Sequence, residues 1–138
     1  MAFQFPQKVL FKHCDPAGIV FYPRYFEMLN DVVEDFFDKA LGMPFETLHE
    51  SGGVPTAEIS TRFHAPSRHG DHLMITLAIT RIGQSSLGLA FTADCDGETR
   101  FTANSTLVHV GADGRPRPWP DEMRQKLLDR EEAPAHAP

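Results

Sequence analysis

Within eleven residues, His13-Cys14-Asp15-Pro16-Ala17-Gly18-Ile19-Val20-Phe21-Tyr22-Pro23, the chain sets a carboxylate a few positions ahead of a helix start. Pro suits the first helical position, where its missing N–H costs nothing, so Tyr22-Pro23 opens a helix. Unpaired N–H groups and the helix dipole at such an end stabilise negative charge. A carboxylate and an oxyanion-binding helix end joined by one short loop are two of the parts that acyl transfer requires. Gly18 permits the loop conformation and a close approach of substrate. The residues alone leave a second role open for Asp15, because Asp before Pro commonly starts a turn.

Other reactive side chains are less well placed. Adjacent strand residues point to opposite faces, so His13 is badly set to activate Cys14 as a nucleophile, and Cys14 reads as a small buried residue. His64, His69 and His72 straddle a turn without a recognised ligand spacing, so no metal site is expected. The chain has no phosphate-binding P-loop, no GxGxxG and no GxSxG, which argues against nucleotide hydrolysis, dinucleotide cofactors and serine-hydrolase chemistry.

The elements that must position these groups follow from periodicity. Phe3 to His13 reads as a first strand. From Tyr22 to Leu41 the residues Tyr22, Tyr25, Phe26, Leu29, Val32, Val33, Phe36, Phe37, Ala40 and Leu41 repeat at three-and-one spacing, a single helical stripe that ends at Gly42. A long loop runs from Gly42 to Val54. Four strands are then expected: Thr56 to His64, Asp71 to Ile82, Ser86 to Asp94 and Thr99 to Val110. Asp96-Gly97 is a hairpin signal. Gly83 to Ser85 and Pro66 to Gly70 read as two more tight turns, which implies an antiparallel meander. A short helix is expected from Asp121 to Arg130. The expected class is α+β: one long helix and about five antiparallel strands that curl around it.

The segment Asp15-Pro16-Ala17-Gly18-Ile19-Val20-Phe21-Tyr22-Pro23-Arg24-Tyr25 resembles the signature of hot-dog-fold acyl-CoA thioesterases of the 4-hydroxybenzoyl-CoA thioesterase class. A weaker likeness covers Phe63-His64-Ala65-Pro66 and Gly70-Asp71-His72-Leu73. The resemblance implies a hot-dog fold, with a curved antiparallel sheet wrapped round a central helix. It also implies hydrolysis of an acyl-CoA thioester, with Asp15 as nucleophile or general base and Tyr22 N–H as the oxyanion donor. A thioester carbonyl is already activated, so one carboxylate and one or two N–H donors suffice. Phe21, Tyr25 and Phe26 are candidates for the acyl wall. Asn30 stands where members acting on 4-hydroxybenzoyl thioesters carry a carboxylate. His64 is a candidate near the acyl or pantetheine path. Arg62, Arg68, Arg81 and Arg100 are available to the coenzyme A phosphates; Arg81, at a strand end, suits them best, with Ser85 in the next turn. Coenzyme A would be part of the substrate, and no other cofactor is expected. The resemblance further implies a homodimer or a homotetramer with active sites at subunit interfaces. A thioesterase acting on acyl carrier protein and a non-catalytic acyl-CoA-binding module are the alternatives.

Composition agrees with a single domain over residues 1–130 and a loose tail over 131–138. The chain has 138 residues, 41% hydrophobic and 23% charged, and a formal net charge of −6, which gives no support for a nucleic-acid partner. There are two cysteines outside any CxxC pattern, no secretory leader and no apolar run long enough to span a membrane, so a reducing cytoplasm is expected.

Overall fold

A computed structural model describes residues 2–132. The strand β1 spans Phe3–Lys8, the helix α1 spans Pro23–Asp35, and a short helix α2 spans Phe45–Leu48. The strands β2 (Gly52–Gly53), β3 (Thr56–Phe63), β4 (His72–Ile82), β5 (Ser86–Cys95), β6 (Glu98–Val108) and β7 (Val110–Gly111) follow, and α3 closes the chain at Asp121–Glu132. The main sheet has the order β1-β4-β5-β6-β3, antiparallel throughout, while β2 pairs with β7 apart from it. With the helix on one face, this is the hot-dog arrangement. No helix among the described residues is long and apolar enough to cross a membrane.

The helix lies across the sheet. Near its start the Tyr25 ring is 4.5 Å from Phe101 of β6, and beyond its end Phe36 is 5.5 Å from Phe3 of β1. Its stripe buries Tyr25, Met28, Leu29, Val32 and Val33, and the alternate residues Leu73, Ile75, Leu77 and Ile79 of β4 and Leu87, Leu89, Phe91 and Ala93 of β5 are buried on the sheet. Each fully buried Leu, Ile or Phe contributes about 1.5–3 kcal/mol relative to exposure. The opposite face of α1 is held in water by the i,i+3 pair Arg24–Glu27.

Several expectations are corrected. The first strand stops at Lys8, and Phe11–His13 forms a 3₁₀ turn in which His13 Nδ1 accepts the Leu10 N–H at 2.9 Å. That local bond takes the Leu10 donor out of any sheet ladder. The long helix is regular only to Asp35; Phe36–Ala40 is a π turn, with Leu41 N–H reaching back to Phe36 O. The extra residue carries Leu41 to the buried face beside Phe36 and Phe37. Gly42, at φ +67°, ends it. The loop from Gly42 to Val54 holds α2 and β2.

The largest correction concerns topology. Pro66 to Gly70 does not close a hairpin: β3 pairs with β6 at one edge, β4 pairs with β1 and β5, and the link crosses the sheet. Only β4-β5-β6 is a meander. Turn residues mark where a chain bends, not which strand it joins. The Asp96-Gly97 hairpin has both residues at positive φ, as its sequence requires. The last helix runs two residues past Arg130, through Glu131 and Glu132; the remainder of the expected tail lies outside the described residues.

Candidate active site

Asp15 begins a tight turn. Its Oδ1 accepts the Ala17 N–H at 2.9 Å, its N–H donates to Ile19 O, and its carbonyl accepts the Gly18 N–H. Gly18 is at φ +83°, a conformation that other residues adopt with strain. The turn closes a short ladder in which Cys14 pairs with Val20. The structural role that the sequence left open for Asp15 is therefore real, and it uses one carboxylate oxygen. Oδ2 has no partner among the described residues, and the side chain is half-buried.

The helix start is bare. No side chain caps α1, and Pro23 occupies its first turn. Arg24 N–H donates to Phe21 O and Tyr25 N–H to Tyr22 O, while Phe21 N–H donates to His13 O. Among the described residues nothing accepts the Tyr22 N–H. Pro23 has no N–H, so the one free donor of this helix end belongs to Tyr22. The rings of Phe21 and Tyr22 are 48% and 58% exposed, and Phe63 of β3, 47% exposed, lies 6.0 Å from Tyr22.

One buried residue ties both parts to the sheet. Ser67, in the crossing link, accepts the Val20 N–H at its carbonyl, 2.9 Å, and Ile19 pairs with Arg68 beside it. The Ser67 hydroxyl takes Nη1 of Arg100 at 3.2 Å. The same Nη1 donates to Pro66 O and, at 2.7 Å, to Asp71 Oδ2. Asp71 Oδ2 also accepts the Arg68 N–H, and Arg100 Nε stands 2.7 Å from Glu98 Oε1, out of line for a hydrogen bond. The guanidinium holds the Asp71 carboxyl below the usual carboxylate range, helped by the Arg68 N–H. Burial pushes the Tyr25 phenol up, opposed by hydrogen bonding from Ser67 and by the charge of Arg100.

His13 is buried as well, and burial lowers its pKa. Its Nδ1 is an acceptor, which requires the neutral ring.

A cleft of about 780 Å³ runs along α1 from Phe26 through Leu29 and Asn30 to Val33. Phe45, His49, Val54, Ile59 and Leu107 complete its apolar wall, with Thr56 and Ser105 on the sheet side. His49 Nδ1 is 2.8 Å from Phe45 O and donates to it, which leaves Nε2 without a partner among the described residues.

Of the residues the sequence singled out, Asn30 and Phe26 line this cleft. Asp15, Gly18, Phe21 and Tyr22 gather at the helix start, one turn before Phe26. Tyr25 is 4% exposed, stacked on Phe63 and tilted against Phe101, and belongs to the core cluster. His64 lies near the crossing link, with its N–H on Arg100 O and Nε2 3.2 Å from Thr102 Oγ1. Arg81 and Ser85 sit at the far end of β4, roughly 30 Å along the strand from Asp71. Arg100 is buried and paired, which withdraws it from the phosphate candidates. Ser67 escaped the sequence reading, since a lone serine between Pro66 and Arg68 looks like ordinary turn composition.

A family model described as the thioesterase-like superfamily matches residues 9–127. The chain belongs to that superfamily. A 4-hydroxybenzoyl-CoA thioesterase from Pseudomonas sp. (strain CBS-3) is 34% identical over 77 residues, which cover 53% of this chain and 54% of that protein. The chain thus matches about half the length of this curated relative. A solved gentisyl-coenzyme A thioesterase superposes with a TM-score of 0.82 at 27% identity, covering 88% of this chain and 99% of that one. A protein from Staphylococcus aureus, solved in complex with CoA, superposes with a TM-score of 0.92 at 18% identity, over 100% of this chain and 89% of its own. In this superfamily member the matched span takes in the Asp15 turn, the helix start and the Ser67 link together.

Proposed function

We propose that this protein is an acyl-CoA thioesterase. The observation that carries the proposal is the pairing of a half-buried carboxylate with one uncapped N–H, Tyr22, across a single hydrogen-bonded turn. In the proposed reaction the thioester oxygen rests on the Tyr22 N–H. Asp15 either attacks the carbonyl carbon, expelling the thiolate and leaving a mixed anhydride for water to open, or takes a proton from the water that attacks. Both routes end in free acid and coenzyme A. The cleft that starts one helical turn beyond Tyr22 takes the acyl group. From Phe26 to Val33 it follows about 10 Å of helix, suited to an aromatic ring or a short chain.

An aromatic acyl group carrying a hydroxyl is the favoured substrate. The bare Nε2 of His49 and the amide of Asn30 supply partners for such a group in an otherwise apolar wall, and the relatives named above act on 4-hydroxybenzoyl-CoA and gentisyl-CoA. An acyl carrier protein is disfavoured, because Asp31, Glu34, Asp35 and Asp38 crowd the outer side of α1 and its π turn with negative charge. We also propose that the protein works as a homodimer or homotetramer: β3 is an unpaired sheet edge with Ile59 and Phe63 41% and 47% exposed.

The test is thiol release from benzoyl-, 4-hydroxybenzoyl-, phenylacetyl- and butyryl-CoA. The proposal expects turnover of at least one aromatic ester with saturation kinetics, abolished in Asp15→Asn. Tight binding of the same esters without thiol release would instead make this a binding module. Sedimentation at micromolar concentration reads the assembly, and a monomer would contradict that part.

A further inference from the structure

The segment that leads into Tyr22 rests on Ser67. Two residues before it, Val20 donates its N–H to Ser67 O. Three residues after it, Tyr25 packs on Phe101, the neighbour of Arg100 in β6. The Asp15 turn is fixed to the same place, because Asp15 bonds Ile19, Cys14 pairs with Val20, and Ile19 pairs with Arg68. The Asp15 turn and the segment entering Tyr22 are thus both tied to Ser67 and its neighbour Arg68.

An irregular link cannot hold such a position through its own backbone. Arg100 supplies the hold from near the start of β6. Its side chain is 12% exposed, and one nitrogen, Nη1, gathers Pro66 O, Ser67 Oγ and Asp71 Oδ2. A buried guanidinium is costly to desolvate unless its donors are used and its charge is met. Here Asp71 and Glu98 meet the charge. The cluster touches neither Asp15 nor the Tyr22 N–H directly.

We propose that Ser67 and Arg100 are positioning residues: they fix the distance and angle between the Asp15 carboxylate and the Tyr22 N–H, and so set the rate of the chemical step without contacting substrate. The inference rests on the thioesterase reading. A misplacement of about 1 Å in such a site costs on the order of 10²-fold in rate.

The experiment measures kcat and KM for the best ester of the panel in Ser67→Ala, Arg100→Met, Arg100→Lys, Asp15→Asn and Leu127→Val, the last a destabilised control in α3. Ser67→Ala keeps the carbonyl that Val20 uses and loses only the hydroxyl. It is expected to lower kcat about tenfold with KM within about twofold and with a cooperative melt. Arg100→Met is expected to lower kcat by about 10- to 100-fold, with part of the loss restored in Arg100→Lys. Leu127→Val should melt earlier and keep its kcat. Unchanged kcat in Ser67→Ala, or a kcat loss in Leu127→Val that matches its lost stability, overturns the positioning role. If Arg100→Met does not fold, Ser67→Ala decides alone. An active Asp15→Asn overturns the thioesterase reading itself, whatever Ser67→Ala does.

Discussion

The two ends of β4 are built to the same plan and to different purposes. At each end a buried or half-buried arginine from a distant element braces an irregular turn. Arg124 of α3 donates to Gly83 O and Gln84 O at the β4–β5 turn, and Arg100 of β6 donates to Pro66 O and the Ser67 hydroxyl at the crossing link. At the first turn the bracing ends in hydrophobic closure: Trp119 is 3% exposed, its Nε1–H donates to Ser86 O, and its ring stacks on His109. At the second, the braced turn holds a further loop, the one with Asp15, and the exposed rings of Phe21 and Tyr22 lie beyond it. One end is sealed and the other is left open with a carboxylate and a free N–H in it. Fold stability and site geometry are thus carried by similar devices placed about the length of one strand apart.

That contrast is broken most severely at the sealed end. Trp119→Ala removes a buried indole and its hydrogen bond, and is expected to cost about 3–5 kcal/mol in urea denaturation, yet leave kcat within about twofold in the folded protein. A large loss of kcat with stability intact would erase the distinction between the ends. Arg100→Met comes next, at about 1–3 kcal/mol for lost charge-assisted hydrogen bonds, and here turnover should fall too. Arg124→Met removes two carbonyl contacts in a half-exposed setting and should cost about 1 kcal/mol with turnover unchanged. The smallest effect is expected from pH. Burial depresses the His13 pKa, and its neutral Nδ1 takes the Leu10 N–H. The unfolded chain therefore binds this proton more readily, so the stabilisation is present above the unfolded value of about 6.5 and is lost as pH falls through it. Comparing melts of the wild type and His13→Gln from pH 8 to 5 reads this directly; a wild-type decline shared fully by the variant would assign it elsewhere.

The local geometry around Asp15 was more legible in the sequence than the topology that holds it. Asp15, Gly18 and Tyr22 were legible because each role is local: a turn, a positive φ, a proline-started helix. The buried faces of β4 and β5 were legible because alternation at period two is local as well. The partner of β3 was not, since pairing with β6 between residues as distant as Thr56 and Leu107 leaves no mark near Pro66 to Gly70. Ser67 was missed for the same reason, and Arg100 was read as a phosphate candidate rather than as its partner. An arginine in a strand and a serine in a turn are each unremarkable until the crossing link brings them within 3.2 Å. The strand-end position of Arg81 was visible in the sequence, while its place along β4 relative to the Asp15 end was not.

The central claim is that the carboxylate at position 15 does chemistry beyond the turn it also builds. Asp15→Asn separates the two, because an asparagine oxygen can still accept the Ala17 N–H that Oδ1 accepts now. The direct measurement is steady-state thiol release from 4-hydroxybenzoyl-CoA by the wild type and by Asp15→Asn, with matched melting curves. The account predicts a fall in kcat of about 10³-fold or more with the fold retained; an asparagine variant that turns over at the wild-type rate would contradict it.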